Sequence, residues 1–262
     1  MLSGYTVGQL VEISGKSERK IRLIIDHWLS VSPLFPPDDL SSAKYLVFDG
    51  TFIWKRRIGA IILLDAERRQ LVKGEYGLRE NSSSALLNYF SGLRNVGLNP
   101  KSATIDGNTT VIKALKIIWP DIIIQRCLVH IQRQGLMWCR ANPKTAAAKK
   151  LRLLFLMVAG INTEAQKNIF LESVKRWDNR YGKKIDSRPE RGWVFSDLKR
   201  ARSVLLKATP NMFHYLEDSQ ISKTTNLAEG YFSFLKSRYR DHRGLSPKKR
   251  RTFFQWFFFL KP

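Results

Sequence analysis

Apolar residues recur at helical spacing near the start of the chain, at strand spacing through its first half, and at helical spacing again beyond that. Residues 5–29 carry two short amphipathic patterns split at Ser14-Gly15, which predict two helices. Thr6 caps the first. Ser17 opens the second, with Ile21, Ile24 and Ile25 facing inward and Arg19, Lys20 and Arg22 facing phosphate or base edges. The pair reads as a helix-turn-helix over residues 1–32, with a plain helical hairpin on the core as the blander alternative. Pro33, Pro36 and Pro37 then interrupt the pattern and make 33–43 a linker.

From Lys44 the spacing predicts strands at 45–48, 57–64 and 70–78, a helix near 83–96, a strand at 102–106, a helix at 109–118 and a strand at 121–126. Three strands followed by alternating helix and strand give an α/β sheet with mixed pairing, with 44–130 as the first part of that domain. From Ile131 to about Gln220 the period is helical almost throughout, which predicts an all-helical insertion over 131–220. Thr224 and Thr225 announce a further helix carrying Glu229, and 221–262 completes the chain with a basic tail and an aromatic end.

Charge narrows the partner. The chain has 45 Lys and Arg against 22 Asp and Glu, a formal net charge of +23. Such self-repulsion points to a polyanion, with DNA or RNA first. At 262 residues and 44% hydrophobic content the chain can bury a sizeable core. Two cysteines are too few for a disulfide framework. No signal pattern opens the sequence, and the longest apolar runs fall short of the ~20 residues a membrane span needs. A soluble, cytoplasmic protein without membrane contact is expected.

Against that basic background three acids stand out. Asp49 closes the run Tyr45 to Phe48, Asp106 closes Ala103 to Ile105, each precedes a glycine, and Glu229 lies in Thr225-Asn226-Leu227-Ala228-Glu229-Gly230. Two-metal phosphodiester cleavage needs carboxylates from separate elements, because the metals sit only ~4 Å apart. Taken singly, each Asp-Gly is more often a turn. Asn226, Glu229, Ser233 and Lys236 share one helix face. That face offers Glu229 to a metal and Lys236 and Arg240 to phosphate, with Arg238, His242 and Arg243 continuing the basic surface. Asp65 and Glu67 read as a hairpin turn, Asp121 as a strand approach and Asp186 as a polar loop. Trp138, Trp177, Trp193 and Trp256 read as core. Cys127 and His130 have metal-ligand spacing, with Cys139 further along, so zinc is an option. No fourth ligand is evident, and a pair bracing the sheet is the preferred reading.

Phe48-Asp49-Gly50-Thr51, Ile105-Asp106-Gly107-Asn108, Cys127-x-x-His130 and Thr225-Asn226-x-x-Glu229-Gly230 together resemble the DDE transposases of the Mutator-like superfamily, including their bacterial insertion-sequence relatives. The likeness spans about residues 44–245. It implies a ribonuclease H-like fold with Asp49, Asp106 and Glu229 as catalytic ligands of Mg²⁺ or Mn²⁺, and 131–220 as the helical insertion ahead of the Glu. It places Cys127, His130 and Asn226 near the site as structural residues. It also implies cutting and rejoining of double-stranded DNA at terminal inverted repeats and at target sites, by a homodimer or larger assembly. Many bacterial relatives carry a cysteine-paired zinc ribbon ahead of the helix-turn-helix, and no such cysteines precede it here, so a shortened form is expected. Two rivals stand beside this reading: a catalytically inactive, transposase-derived DNA-binding protein, and a ribonuclease H-like nuclease without strand transfer.

Overall fold

The computed structural model describes residues 2–34, 40–54, 58–187 and 193–260, with Trp54 and 193–196 described by backbone alone. Pro36, Pro37 and the expected second-strand start at Arg57 lie outside the described residues, as does the Trp193 side chain. The chain gathers into two units. Met1–Lys101, Asn108–Ile122 and Asn226–Pro262 form the first, and Ser102–Gly107 with Ile123–Thr225 the second. Strands lie between Tyr45 and Arg126, with helices before, among and after them, so the class is α/β, as the spacing predicts.

In the first unit the N-terminal helices start where their caps dictate. Thr6 accepts the Gln9 N–H and its own N–H donates to the Gln9 side chain, opening α1, Val7–Ser14. Ser17 accepts the Lys20 N–H and opens α2, Glu18–Ser30. Between them Gly15 takes φ 65°, and its N–H donates to the Val11 carbonyl. Burial is sparse here: α1 buries no residue and α2 only Ile21 and Leu29. Ile24, expected to pack inward, is 38% exposed.

Three strands follow as an antiparallel meander: β1 Tyr45–Trp54, β2 Ile58–Asp65 and β3 Gln70–Tyr76. Phe48 pairs with Leu63, and Leu63 with Lys73. The first strand runs past its expected end at Phe48 to Trp54. Ala60 to Leu64 are each at most 1% exposed, so β2 is buried on both faces, as its unbroken apolar run requires. Asp65 ends the strand by accepting the Glu67 and Arg68 N–H groups, the expected turn.

Each face of this sheet has its own cover. On one side lie α3, Ser83–Asn95, and α4, Thr109–Ile118, with the Phe90 ring 5.9 Å from Phe48 and 5.9 Å from Trp119. On the other, Val47, Ile62 and Leu64 pack with Ala228, Phe232 and Leu235 of a helix at Asn226–Arg240 and with Phe254 and Phe257 of another at Pro247–Leu260. The expected tail is thus a helix. Phe253, Phe254, Phe257 and Phe258 form its buried face, each contributing about 1.5–3 kcal/mol by leaving water. Trp256 donates its indole N–H to the Trp28 and Val31 carbonyls, tying this last helix to α2.

The second unit opens with a parallel pair, β4 Ser102–Ile105 and β5 Ile123–Arg126, in which Ile105 lies opposite Arg126. Among the described residues five α-helices follow: α5 Leu128–Cys139, α6 Ala146–Val158, α7 Glu164–Asp186, α8 Trp193–Ala208 and α9 His214–Glu217. The two helices over β1 are therefore α10, Asn226–Arg240, and α11, Pro247–Leu260. Leu128, Phe155, Phe170, Leu205 and Met212 lie at the heart of the helical core. Trp177 is buried there, its indole donating to the Ala147 carbonyl. Asp186, expected in a polar loop, instead ends α7 and pairs with Arg202, because the helical period continues to it without a breaker.

Close approach of α5 and α6 rests on Gly135, where a Cβ would stand 2.1 Å from the Phe155 ring. Gly135→Ala should cost about 1–3 kcal/mol through overpacking. Gly92→Ala in α3 meets nothing within 4 Å and should stabilise by about 0.5–1 kcal/mol. Denaturant unfolding of the two variants checks both signs.

Candidate active site

Asp49 sits inside β1, opposite Ile62, and Gly50 opposite Ile61. The pair is therefore strand and not turn. Side chains alternate, so Asp49 shares a face with Val47 and Thr51, the face α10 covers, while Gly50 shares the opposite one with Phe48. The Asp49 carboxylate is half-buried and accepts the Gly50 N–H at 2.9 Å.

Gly50 is glycine for a reason the sequence does not carry. A Cβ there would fall 1.3 Å from Glu80 Oε1, so the Glu80 side chain occupies the space a side chain at 50 would need. Glu80 Oε2 accepts the Asn108 side-chain N–H at 3.0 Å, while Asn108 Oδ1 caps α4 by accepting the Thr110 and Val111 N–H groups. Sequence reasoning missed Glu80. Its only mark is an acid just before the Ser82 cap of α3, a common pattern on any helix start.

On α10 the apolar stripe Ala228, Phe232, Leu235 and Tyr239 fixes the helix over the sheet. Glu229 lies beside that stripe and is half-buried. Two turns along the same face, Lys236 Nζ donates to Thr51 Oγ1 at 2.5 Å, beside the face that carries Asp49. Asn226 and Ser233 are exposed, and the Ser233 hydroxyl donates to the Glu229 carbonyl.

In the second unit Asp106 follows β4 and is half-buried. Gly107 beside it takes φ 111°, and a Cβ there would meet Arg126 Nη2 at 1.9 Å. Arg126 Nη2 donates to the Asp106 carbonyl at 3.1 Å. Burial lowers the Arg126 pKa, while Asp106 and Cys127 pull it upward. Cys127 and His130 both meet Thr225: its N–H and hydroxyl reach Cys127 Sγ at 3.3 and 3.4 Å, and its Oγ1 lies 3.3 Å from His130 Nδ1. This threonine, which the sequence marked as a cap and as part of the Thr225-Asn226-x-x-Glu229-Gly230 motif, joins Cys127 and His130 at the start of α5. Cys139 closes α5, roughly 18 Å of helix from Cys127 at 1.5 Å per residue. Buried in the helical core, it is pushed up to about 12 and belongs to packing.

The basic residues divide. Arg19 and Lys20 are exposed on α2, while Arg22 pairs with Glu18 at 2.6 Å. Arg240 and Arg243 are exposed, Arg238 is half-buried over the Phe234 ring and against Gly4, and His242 packs 5.6 Å from the Phe253 ring. Among the described residues no group of three or more His, Cys, Asp or Glu side chains is placed to hold a metal ion, and no helix is long and apolar enough to cross a membrane.

A family model described as Transposase, Mutator family, matches residues 57–218, more than half of the chain. The match takes in Asp106, Cys127 and His130, with Asp49 and Glu229 to either side of it. No curated protein is matched.

Two predictions follow from this geometry. Gly50→Ala should cost about 1–3 kcal/mol by displacing Glu80, and much less in a Glu80→Ala background; a double-mutant cycle by denaturant unfolding measures the coupling. The second concerns the Cys127 thiol. Burial pushes it up, but hydrogen bonds from His130 and Thr225, through side chain and backbone, hold it below its ordinary value. A depressed thiol contributes stability that is fully present above the unfolded pKa and is lost as pH falls through the folded one. Thr225→Val should therefore be increasingly less stable than the parent as pH rises towards about 8.5, the unfolded thiol value. A constant gap across that range would show that Thr225 does not set the thiol.

Proposed function

The chain belongs to the Mutator family of transposases, and from that premise we propose that it cuts double-stranded DNA at the inverted-repeat ends of a mobile element and joins the freed ends to target DNA. Asp49, Asp106 and Glu229 are the proposed catalytic carboxylates. The observation that carries this reading is the seam in the first unit: Asp49 lies on the strand face under α10, the helix that bears Glu229, and Lys236 of that helix donates to Thr51 on the same strand face. Asp106 takes its role from its place directly after β4 and from the family pattern. An antiparallel meander followed by alternating helix and strand supports a ribonuclease H-like fold.

In the first step the oxygen of water bonds to phosphorus and the 3′ oxygen leaves with a proton. In the second, the freed 3′-hydroxyl attacks a target phosphodiester and displaces its 3′ oxygen. Mg²⁺ or Mn²⁺, when bound, supplies polarisation of the phosphate oxygens and neutralises charge as it develops. Mg²⁺ needs only one or two protein carboxylates when water and substrate phosphates complete its shell, so half-buried Asp49 and Glu229 suit it as oxygen donors without a larger protein cage. Lys236 and Arg240 meet phosphate beside them. The α1–α2 pair serves as the helix-turn-helix for the repeat, with Arg19 and Lys20 exposed towards DNA. Pairing two ends before cutting calls for at least a dimer, acting at the nucleoid in the cytoplasm.

Asp49→Asn, Asp106→Asn and Glu229→Gln should each lower Mg²⁺-dependent nicking of inverted-repeat DNA by more than about 10²-fold, the loss of several kcal/mol of transition-state stabilisation. Binding measured in parallel should be unchanged. Full nicking by any of them would remove that residue from the centre. Joining of a labelled, pre-cut end to a plasmid separates a transposase from a nuclease that only cuts. Arg19→Ala and Lys20→Ala should each reduce the salt slope of repeat binding by about one, and Arg22→Ala by less, because Glu18 already occupies its guanidinium.

A further inference from the structure

The second half of α7 sorts its charges by side. Its inner edge is set by Val174, Trp177 and Ile185, which are buried in the helical core. Both acids of this stretch are taken by one guanidinium of α8: Arg202 Nε and Nη2 donate to Asp178, and Nη1 donates to Asp186 at 2.7 and 2.9 Å. These bonds hold the Arg202 pKa above its ordinary value, led by the bond to Asp178.

What remains on the outside is of one sign. Arg176, Arg180 and Lys183 follow i, i+4 and i+7 spacing on the exposed face, flanked by Lys175 and Lys184, and all five are exposed. Among the described residues none of the five pairs with a carboxylate, and the Arg176 guanidinium donates only to the Ser173 hydroxyl. An ordinary solvated helix face interleaves the two signs at i, i+4, as Glu18 and Arg22 do on α2. Beyond Glu172, α7 does the opposite.

We propose that this outer face of α7 is a second DNA surface, separate from the helix pair and from α10, which holds the phosphate backbone of a duplex. Arg176 to Lys184 spans roughly 12 Å of helix, and successive phosphates of one strand rise ~3.4 Å along a duplex, so the stripe reaches three to four phosphates. Contacts of these side chains to phosphate alone would position DNA without selecting its sequence. The surface deepens the transposase reading and rests on it, since the duplex it holds is the substrate class which that reading names.

The test is the salt dependence of binding to a duplex of unrelated sequence, with the intact chain and no metal. The triple variant Arg176→Gln, Arg180→Gln, Lys183→Gln is compared with a control that removes three other exposed cations, Lys113→Gln, Lys207→Gln and Lys248→Gln. The stripe variant should lose roughly 2.7 from the slope of log K against log salt, about 0.9 per phosphate contact, and the control much less. Unfolding curves that overlay the parent establish that the fold is kept. Equal slopes for stripe variant and parent, or equal losses in stripe variant and control, would overturn the proposal. Binding needs no carboxylate centre, so a chain that binds through α7 but fails to nick rejects the catalytic reading alone.

Discussion

A glycine that yields its side-chain space to a carboxylate holds the middle of the first unit together. With Glu80 filling the place beside Gly50, β1 can run unbroken past Asp49, and Glu80 can reach Asn108 at the start of α4. Asn108 is then committed twice, by its amide N–H to Glu80 and by its oxygen to the first turn of α4. A negative group held near that N-terminus is also favoured by the helix dipole. The backbone at Asp49 is thus set by packing from the opposite face of its own strand. Its carboxylate is left half-exposed on the α10 side.

The apolar core decides what that carboxylate faces. Phenylalanines along α11 and the stripe of α10 cover the same side of the sheet as Val47 and Ile62, which seats α10 over β1 and brings Lys236 to Thr51. Several acids, scarce in this chain, are committed inward or locally: Asp65 to its turn, Asp197 to Arg140, Asp178 and Asp186 to Arg202. The excess of cations is left to the surface. A net charge of +23 thereby becomes a property of particular faces, which is what a polyanionic partner meets.

Much of the architecture was legible because periodicity follows burial. The strand at β2, the helices at α3 and α4 and the helical run from α5 onward all appear close to where spacing put them, and the caps at Thr6 and Ser17 act locally, within three residues. Three features escaped. The Asp49-Gly50 pair carries a turn signature yet lies in a strand, since cross-strand pairing with β2 outweighs the local preference. The basic tail proved to be a packed helix, because four phenylalanines find a sheet face far away in sequence. Asp186, read as a polar loop, instead ends α7, where the helical period runs on to it without a breaker, and pairs with Arg202 of the next helix.

The sequence by itself determined the class of fold, the order of its elements, the family and the short list of candidate acids and cations. Each of these is written in spacing, composition or local capping. The tertiary structure alone decided that Glu80 stands behind Gly50, that Thr225 joins Cys127 to His130, that Arg238 lies against Gly4, and that the outer side of α7 is left to one sign of charge once Arg202 takes its acids. Those outcomes depend on contacts between residues tens of positions apart, or on which face of an element is already filled. No local pattern encodes either.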